Sequence, residues 1–222
     1  KSFDLIDEGI SSSDVKHFEL LLDEKKFESA GEIIILFELL KEIKDLRRNV
    51  STSTKLVCTR PDISAKDTDE TDLVMTELVG SAKESITIIG YLMMPDKDIK
   101  RIFEMIKNNP NIMKLKIKFI FDNVDKQQKL GKMYPSVKEI IRGLWSENVP
   151  FPEIYTYSRK SDSLHAKVII IDSKEILATS ANMSSRAIER NFEVGIRHKG
   201  KPAEDAEKIV RELIDKQWFI KK

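Results

Sequence analysis

Three pairs of polar residues, each spaced by two, stand out in this chain of 222 residues: His165 and Lys167, Ser180 and Asn182, Asn191 and Glu193. On an extended chain, residues two apart project from one face. Each pair therefore presents its two side chains together. The set holds an imidazole, an ammonium, two amides, a hydroxyl and a carboxylate. An imidazole can attack as a nucleophile or carry a proton, and fixed cations and amide donors can hold an anion that gains charge in a transition state. These groups are useful for catalysis only when a rigid scaffold fixes them.

The elements around them suit that task. Between the first two pairs the chain reads Val168-Ile169-Ile170-Ile171, apolar on both parities. A central strand buried on both faces reads in this way. Each pair is thus expected at the margin of a dry, rigid sheet.

The stretch Ser163–Glu193 resembles the motif of the phospholipase D superfamily. His165 and Lys167, then Asp172 after four residues, match at the family's spacing, and Ser180 and Asn182 fall where the second half of the motif belongs. Thr179 stands where the family usually has Gly. Asn191-Phe192-Glu193 fits a downstream Asn-x-Glu that follows a short helical turn. Weaker similarity extends over most of the chain after Lys55. More loosely, the helical front end, the segment Lys55–Asp62 (KLVCTRPD) and the strand Gly90–Met94 (GYLMM) resemble the phospholipase-D-like component of bacterial DISARM antiphage systems.

The resemblance implies an α/β fold, a phospholipase-D-like layered α/β/α sandwich with a mixed central sheet. It implies a phosphodiesterase that needs no metal and no other cofactor. His165 would attack phosphorus and form a phospho-histidine, with Glu193 as the carboxylate that fixes its tautomer. Lys167 would hold the non-bridging oxygens, Asn182 would add a neutral donor, and Ser180 a weaker one. Asp172 lies seven residues after His165, an odd offset that points it to the opposite face of a strand, so structural work is expected of it. Asn191 completes the supporting set. The chain carries one copy of a motif that the superfamily uses in facing pairs. That implies a homodimer in which the partner's imidazole supplies the acid.

Charge does not name the substrate. There are 38 basic and 37 acidic side chains, so the whole chain exerts no strong pull on nucleic acid or membrane. Basic residues do cluster in sequence around the motif. Arg186, Arg190, His198 and Lys199 are candidates to contact substrate phosphates, with Arg159, Lys160, Arg197 and Lys201 nearby. A nuclease acting on DNA in bacterial defence, beside other subunits of a defence system, is the expectation. The alternatives are a lipid phosphodiesterase of the cardiolipin type and a weakly active or inactive nucleic-acid-binding dimer. No stretch suits a bilayer surface or span, so a membrane partner is not expected. The single cysteine, Cys58, excludes an internal disulfide, and its apolar surroundings suggest a buried thiol. These features fit the cytoplasm. The chain opens on Lys1 rather than Met, which reads as a processed or trimmed start.

Periodicity divides the chain into a helical N-terminal region over 1–50 and a phosphodiesterase domain over 55–222. The first carries helices near Ser13–Asp23 and Phe27–Arg47, with His17 as a surface or packing residue. Asn49–Thr54 reads as a linker, and Arg60–Asp69 as a loop. From Lys55 strands alternate with helices, as a layered α/β domain requires. Lys114, Lys116 and Lys118 share one face of an alternating strand and read as a solvated or edge-guarding row. Trp145 is expected in the core, and the last helix is expected to end at Trp218-Phe219.

Overall fold

The computed structural model describes residues 53–59, 68–129, 132–159 and 161–222. The expected N-terminal helices with His17, most of the linker at Asn49–Thr54, most of the Arg60–Asp69 loop, and Lys160 lie outside the described residues.

Eleven strands and four α-helices follow one another along the described chain. They are β1 (Thr54–Thr59), β2 (Asp69–Glu70), α1 (Thr71–Ser81), β3 (Ser85–Gly90), α2 (Lys97–Lys107), β4 (Lys116–Phe121), β5 (Gln127–Lys129), β6 (Lys132–Tyr134), α3 (Val137–Leu144), β7 (Glu153–Tyr157), β8 (Val168–Ile171), β9 (Glu175–Thr179), a π-helical turn (Arg186–Arg190), β10 (Glu193–Lys199), α4 (Lys201–Asp215) and β11 (Phe219–Lys221). Nine strands form one sheet in the order β11-β7-β4-β3-β8-β9-β10-β1-β2. The neighbours β3, β4 and β7 run parallel, whereas β3 to β8, β8 to β9 and β9 to β10 are antiparallel. The expected mixed sheet is therefore present. Its parallel half is joined by crossovers through α2 and α3; in its antiparallel half a short turn joins β8 to β9, and the segment with the π-turn joins β9 to β10.

Two apolar layers hold the helices to the sheet. On one face α1, α2, α3 and the π-turn contribute Leu78, Ile102, Phe103, Ile141 and Ile188, packed against Ile86, Ile88, Phe119, Ile169 and Leu177 of the strands. On the other face α4 sets Ala203 and Val210 against Ile89, Ile120 and Ile170. Alternation along β8 sends Ile169 and Ile171 into the first layer and Ile170 into the second, which is why the run is apolar on both parities. Trp145, expected in the core, is half-buried and packs edge-on against the core residues Phe103 and Phe119. The helix α3 opens on a capping box, with Glu139 N–H donating to Ser136 and the Ser136 N–H donating to Glu139.

Several expectations change. β4 is an interior strand, and Lys118 forms an ion pair at 2.7 Å with the buried Glu207 of α4 instead of facing solvent or phosphate. Cys58 is half-buried, beside the exposed Val194 and Ile196 on the same sheet face. The last helix ends at Asp215, short of Trp218-Phe219, and Phe219–Lys221 returns as β11 against β7. A small hairpin, β5–β6, pins the loop after β4 by way of Gln127, whose amide bonds the Met93 backbone in both directions.

Candidate active site

Because β8, β9 and β10 alternate in direction beside β3, one edge of the sheet collects the end of β3, the start of β8, the end of β9 and the start of β10. All three polar pairs fall on that edge. His165 and Lys167 lie just before β8. Ser180 and Asn182 follow β9, and Asn191 and Glu193 open β10.

Backbone bonds beyond the ladders carry the pairing out to these residues. Thr179 N–H donates to the Lys167 carbonyl at 3.0 Å, and Ser180 N–H to the Val194 carbonyl at 3.0 Å. Met183 forms a bridge to Met93, so the segment with Asn182 is tied to the extension of β3. Asp96, ahead of α2, accepts from Ser185 N–H at 2.6 Å, while the Ser185 hydroxyl accepts from Asp98 N–H at 3.3 Å. The loop before His165 is held by Asp122, whose carboxylate accepts from Leu164 N–H at 2.7 Å.

Lys167 is buried, at 8% exposure, yet carries a charge. Its Nζ stands 3.0 Å from His165 Nδ1 and donates to the His165 carbonyl at 2.7 Å. An ammonium has only donors, so Nδ1 accepts and the neutral ring keeps its hydrogen on Nε2. Burial pushes the Lys167 pKa below the ordinary lysine value, and the negative charge of Glu193 partly opposes that shift. The Tyr91 ring, 5.0 Å from the imidazole centroid and 5.9 Å from Lys167 Nζ, forms a wall against both. Tyr91 follows Gly90, where a side chain would collide with the Phe121 ring. Motif spacing gave no sign of Tyr91 or Asp122, since their proximity depends on strand order.

Glu193 differs from its expected part. Its carboxylate accepts from the Ser180 hydroxyl and, at 3.0 Å, from the Asn191 amide, and among the described residues it makes no hydrogen bond to His165. The reason is geometric. β9 lies between β8 and β10, so the two groups start roughly two strand spacings, about 9.6 Å, apart. Ser180 fills that gap. It accepts from Val194 N–H at 3.2 Å and spends its single proton on Glu193, so it is not a donor to substrate. Asn182 remains as the amide donor. Its Oδ1 is buried with no hydrogen-bond partner among the described residues.

Asp172 does structural work. It sits with Ser173 in the β8–β9 turn at φ of 55° and 53°, the left-handed region that Asp tolerates best after Gly and Asn. Its carboxylate accepts from the backbone N–H groups of Lys83, Glu84 and Ser85 at 2.7–3.2 Å and so fixes the start of β3. Thr179, the departure from the usual Gly, pairs with Gly195 of β10. A Cβ on Gly195 would lie 2.9 Å from the Thr179 Cβ, so the missing side chain on β10 makes room for the extra one on β9.

The candidate substrate contacts divide into two groups. Arg186 and Arg190, on the π-turn, line a groove with Asn191 beside the site. His198 and Lys199 do not join them. They lie five and six residues along β10 from Glu193, about 16 to 20 Å away on an extended strand. There His198 Nδ1 is 2.6 Å from the Thr54 hydroxyl and Lys199 is 3.7 Å from Glu175. Neither is retained as a substrate contact. Arg197 is buried and bridges Glu77 and Glu175, which also removes it from the basic rim.

Among the described residues no helix is long and apolar enough to cross a membrane. A family model described as "Cardiolipin synthase, PLD-like domain" matches residues 75–218. The chain is 26% identical over 218 residues to the DISARM protein DrmC of Bacillus paralicheniformis, covering 96% of this chain and 80% of that one. Two solved structures share the fold. Nuc, a phospholipase D family member from Salmonella typhimurium, superposes with a TM-score of 0.53 at 18% identity, covering 78% of this chain and 99% of Nuc. NucT from Helicobacter pylori gives 0.52 at 18% identity, covering 74% and 97%. The matched span takes in β3 to β10, the helices α2 to α4 and every residue of the edge site, and the chain therefore belongs to the family of phospholipase-D-like domains.

Proposed function

We propose that the protein is a metal-independent phosphodiesterase that cleaves DNA in bacterial antiphage defence, acting in the cytoplasm through a covalent phospho-histidine. The observation that carries this reading is the buried Lys167 ammonium held against the His165 imidazole, on the edge that also carries Asn182. The likeness to a DISARM protein supports the setting, and foreign DNA is the phosphodiester that such a setting presents.

A phosphodiester entering this edge offers oxygens to Lys167. Those oxygens replace Nδ1 and the carbonyl of His165 as acceptors of the ammonium. Nδ1 is then free to carry the ring hydrogen, and Nε2 attacks phosphorus. The N–P bond forms, the P–O bond to the leaving group breaks, and the departing oxygen takes a proton. Water then attacks phosphorus, the N–P bond breaks, and the imidazole is restored. Glu193, held by Ser180 and Asn191, acts through its field and balances positive charge on Lys167 and on the phosphorylated ring.

The proton for the leaving oxygen comes from a second imidazole. Along this edge His165 is the only histidine among the described residues, since His198 lies at the far end of β10. We assign the second ring to a second copy of the chain, so that the site is completed by a homodimer.

A second reading rests on the matched family's description as cardiolipin synthase, which favours a lipid phosphodiester. One assay separates them: the purified protein in excess chelator is given single-stranded DNA, duplex DNA and cardiolipin vesicles, beside His165→Ala. Cleavage of DNA that disappears in the variant supports the nuclease. Turnover of cardiolipin alone supports the lipid reading, and DNA binding without cleavage in either protein contradicts both enzymatic readings.

A further inference from the structure

Beside the site lies a groove of about 560 Å³, lined by Asp96, Lys97, Arg186, Glu189, Arg190 and Asn191 among others. Its floor is the π-turn. Asn191 N–H donates to the Arg186 carbonyl, a bond across five residues that makes the turn wide. At this pitch Ala187 and Ile188 are buried while Arg186 and Arg190 come out together, about one turn apart, and both are exposed.

The charges of the groove are unequally matched. Lys97 is paired with Glu189 at 2.6 Å, and Asp96 accepts from Ser185 N–H with one carboxylate oxygen while its other oxygen is buried without a hydrogen-bond partner among the described residues, so the three cations of the groove exceed its two carboxylates by one. Arg186 and Arg190 have no ion pair or side-chain hydrogen bond among the described residues. Two exposed guanidinium groups without an ion-pair partner among the described residues thus line the groove. Asn191 lines it as well, and its amide bonds Glu193 of the catalytic edge. The groove is therefore continuous with the site.

We propose that this groove binds a phosphate of the same strand next to the one being cleaved, with Arg186 and Arg190 as its ligands. A guanidinium matches a phosphate with two parallel N–H groups, and a pair spaced along a groove tracks a repeating anion. This deepens the nuclease reading and rests on it. It gives the site a preference for a polymeric phosphodiester over a small one, without reading bases.

The test uses the full chain, wild type and Arg186→Gln/Arg190→Gln. Both side chains are exposed, so the fold is not at stake. Affinity for a fluorescent single-stranded oligonucleotide is measured by anisotropy across a salt series in chelator. Each lost phosphate contact lowers the slope of log K against log salt by about 0.7 for a single strand, so the double variant, which loses the one phosphate of the groove, is expected to lose about 0.7. In parallel, kcat/KM for the oligonucleotide relative to that for bis-p-nitrophenyl phosphate is expected to fall at least about tenfold, most of it in KM. An unchanged slope, an absence of DNA binding by the wild type, or an equal fall for both substrates overturns the groove. If the wild type turns over the small diester and His165→Ala does not, the catalytic reading survives that outcome. If neither protein hydrolyses any diester, the catalytic reading fails on its own account.

Discussion

Lys167 Nζ lies 3.0 Å from His165 Nδ1 and 2.7 Å from the carbonyl of the same histidine, and the lysine is almost wholly buried. The chain thus stores a cation against the group we assign as nucleophile. Two residues of spacing on an extended segment achieve this because the lysine folds back along its own backbone.

A pH profile follows from that contact. Burial lowers the Lys167 pKa and Glu193 raises it, the first effect being the larger. A lysine is charged below its pKa and loses its charge as pH rises through it. The high-pH limb of kcat/KM is therefore expected below the range of an exposed lysine. Glu193→Gln removes the raising field, so the limb moves further toward low pH, and kcat falls as well. A limb that stays in place in Glu193→Gln contradicts the electrostatic role given to this carboxylate.

Asp172 belongs to the motif but is expected to act on stability. Asp172→Ala strands three backbone N–H donors at the start of β3 and puts Ala at a φ of 55°. Charge-assisted bonds of this kind lead to an expected loss of about 2–3 kcal/mol. Urea unfolding should show an earlier midpoint with an unchanged slope, while kcat of the folded fraction stays within a few-fold. A midpoint equal to that of the wild type, or a catalytic collapse with no loss of stability, contradicts the assignment.

A site shared by two chains makes a prediction about mixtures. When wild type and His165→Ala are co-refolded in varied ratio, activity should fall with the square of the wild-type fraction, because only a dimer with two imidazoles is complete. Strict proportionality would show that each chain works alone.

Much of the site was legible in the sequence because its logic is local. Pairs two apart on extended chain fixed what shares a face, whereas Asp172 is apart from His165 because it lies in the turn beyond the far end of β8, not because an odd offset sends it to the opposite face of a strand. The run Val168–Ile171 announced a central strand. What failed was non-local. The separation of His165 from Glu193 follows from β9 lying between their strands, and no spacing reports strand order. The partner of Ser180, the pairing of Lys118 with Glu207, the wall formed by Tyr91 and the anchor at Asp122 arise in the same way. So does the fit of Thr179 over Gly195, which needs the β9–β10 register to be seen. The basic cluster was misjudged for a simpler reason: sequence proximity to the motif runs along β10 away from the edge, so His198 and Lys199 are carried to its far end.

Covalent trapping at His165 tests the central claim most directly. The protein is mixed in chelator with an end-labelled oligonucleotide, quenched with denaturant within the first turnovers, kept at neutral or alkaline pH, and resolved by denaturing electrophoresis and peptide mass mapping. The account predicts a labelled adduct on the peptide that contains His165, labile to acid and absent from His165→Ala. Steady cleavage in chelator with no adduct, or cleavage that persists in His165→Ala, would contradict it.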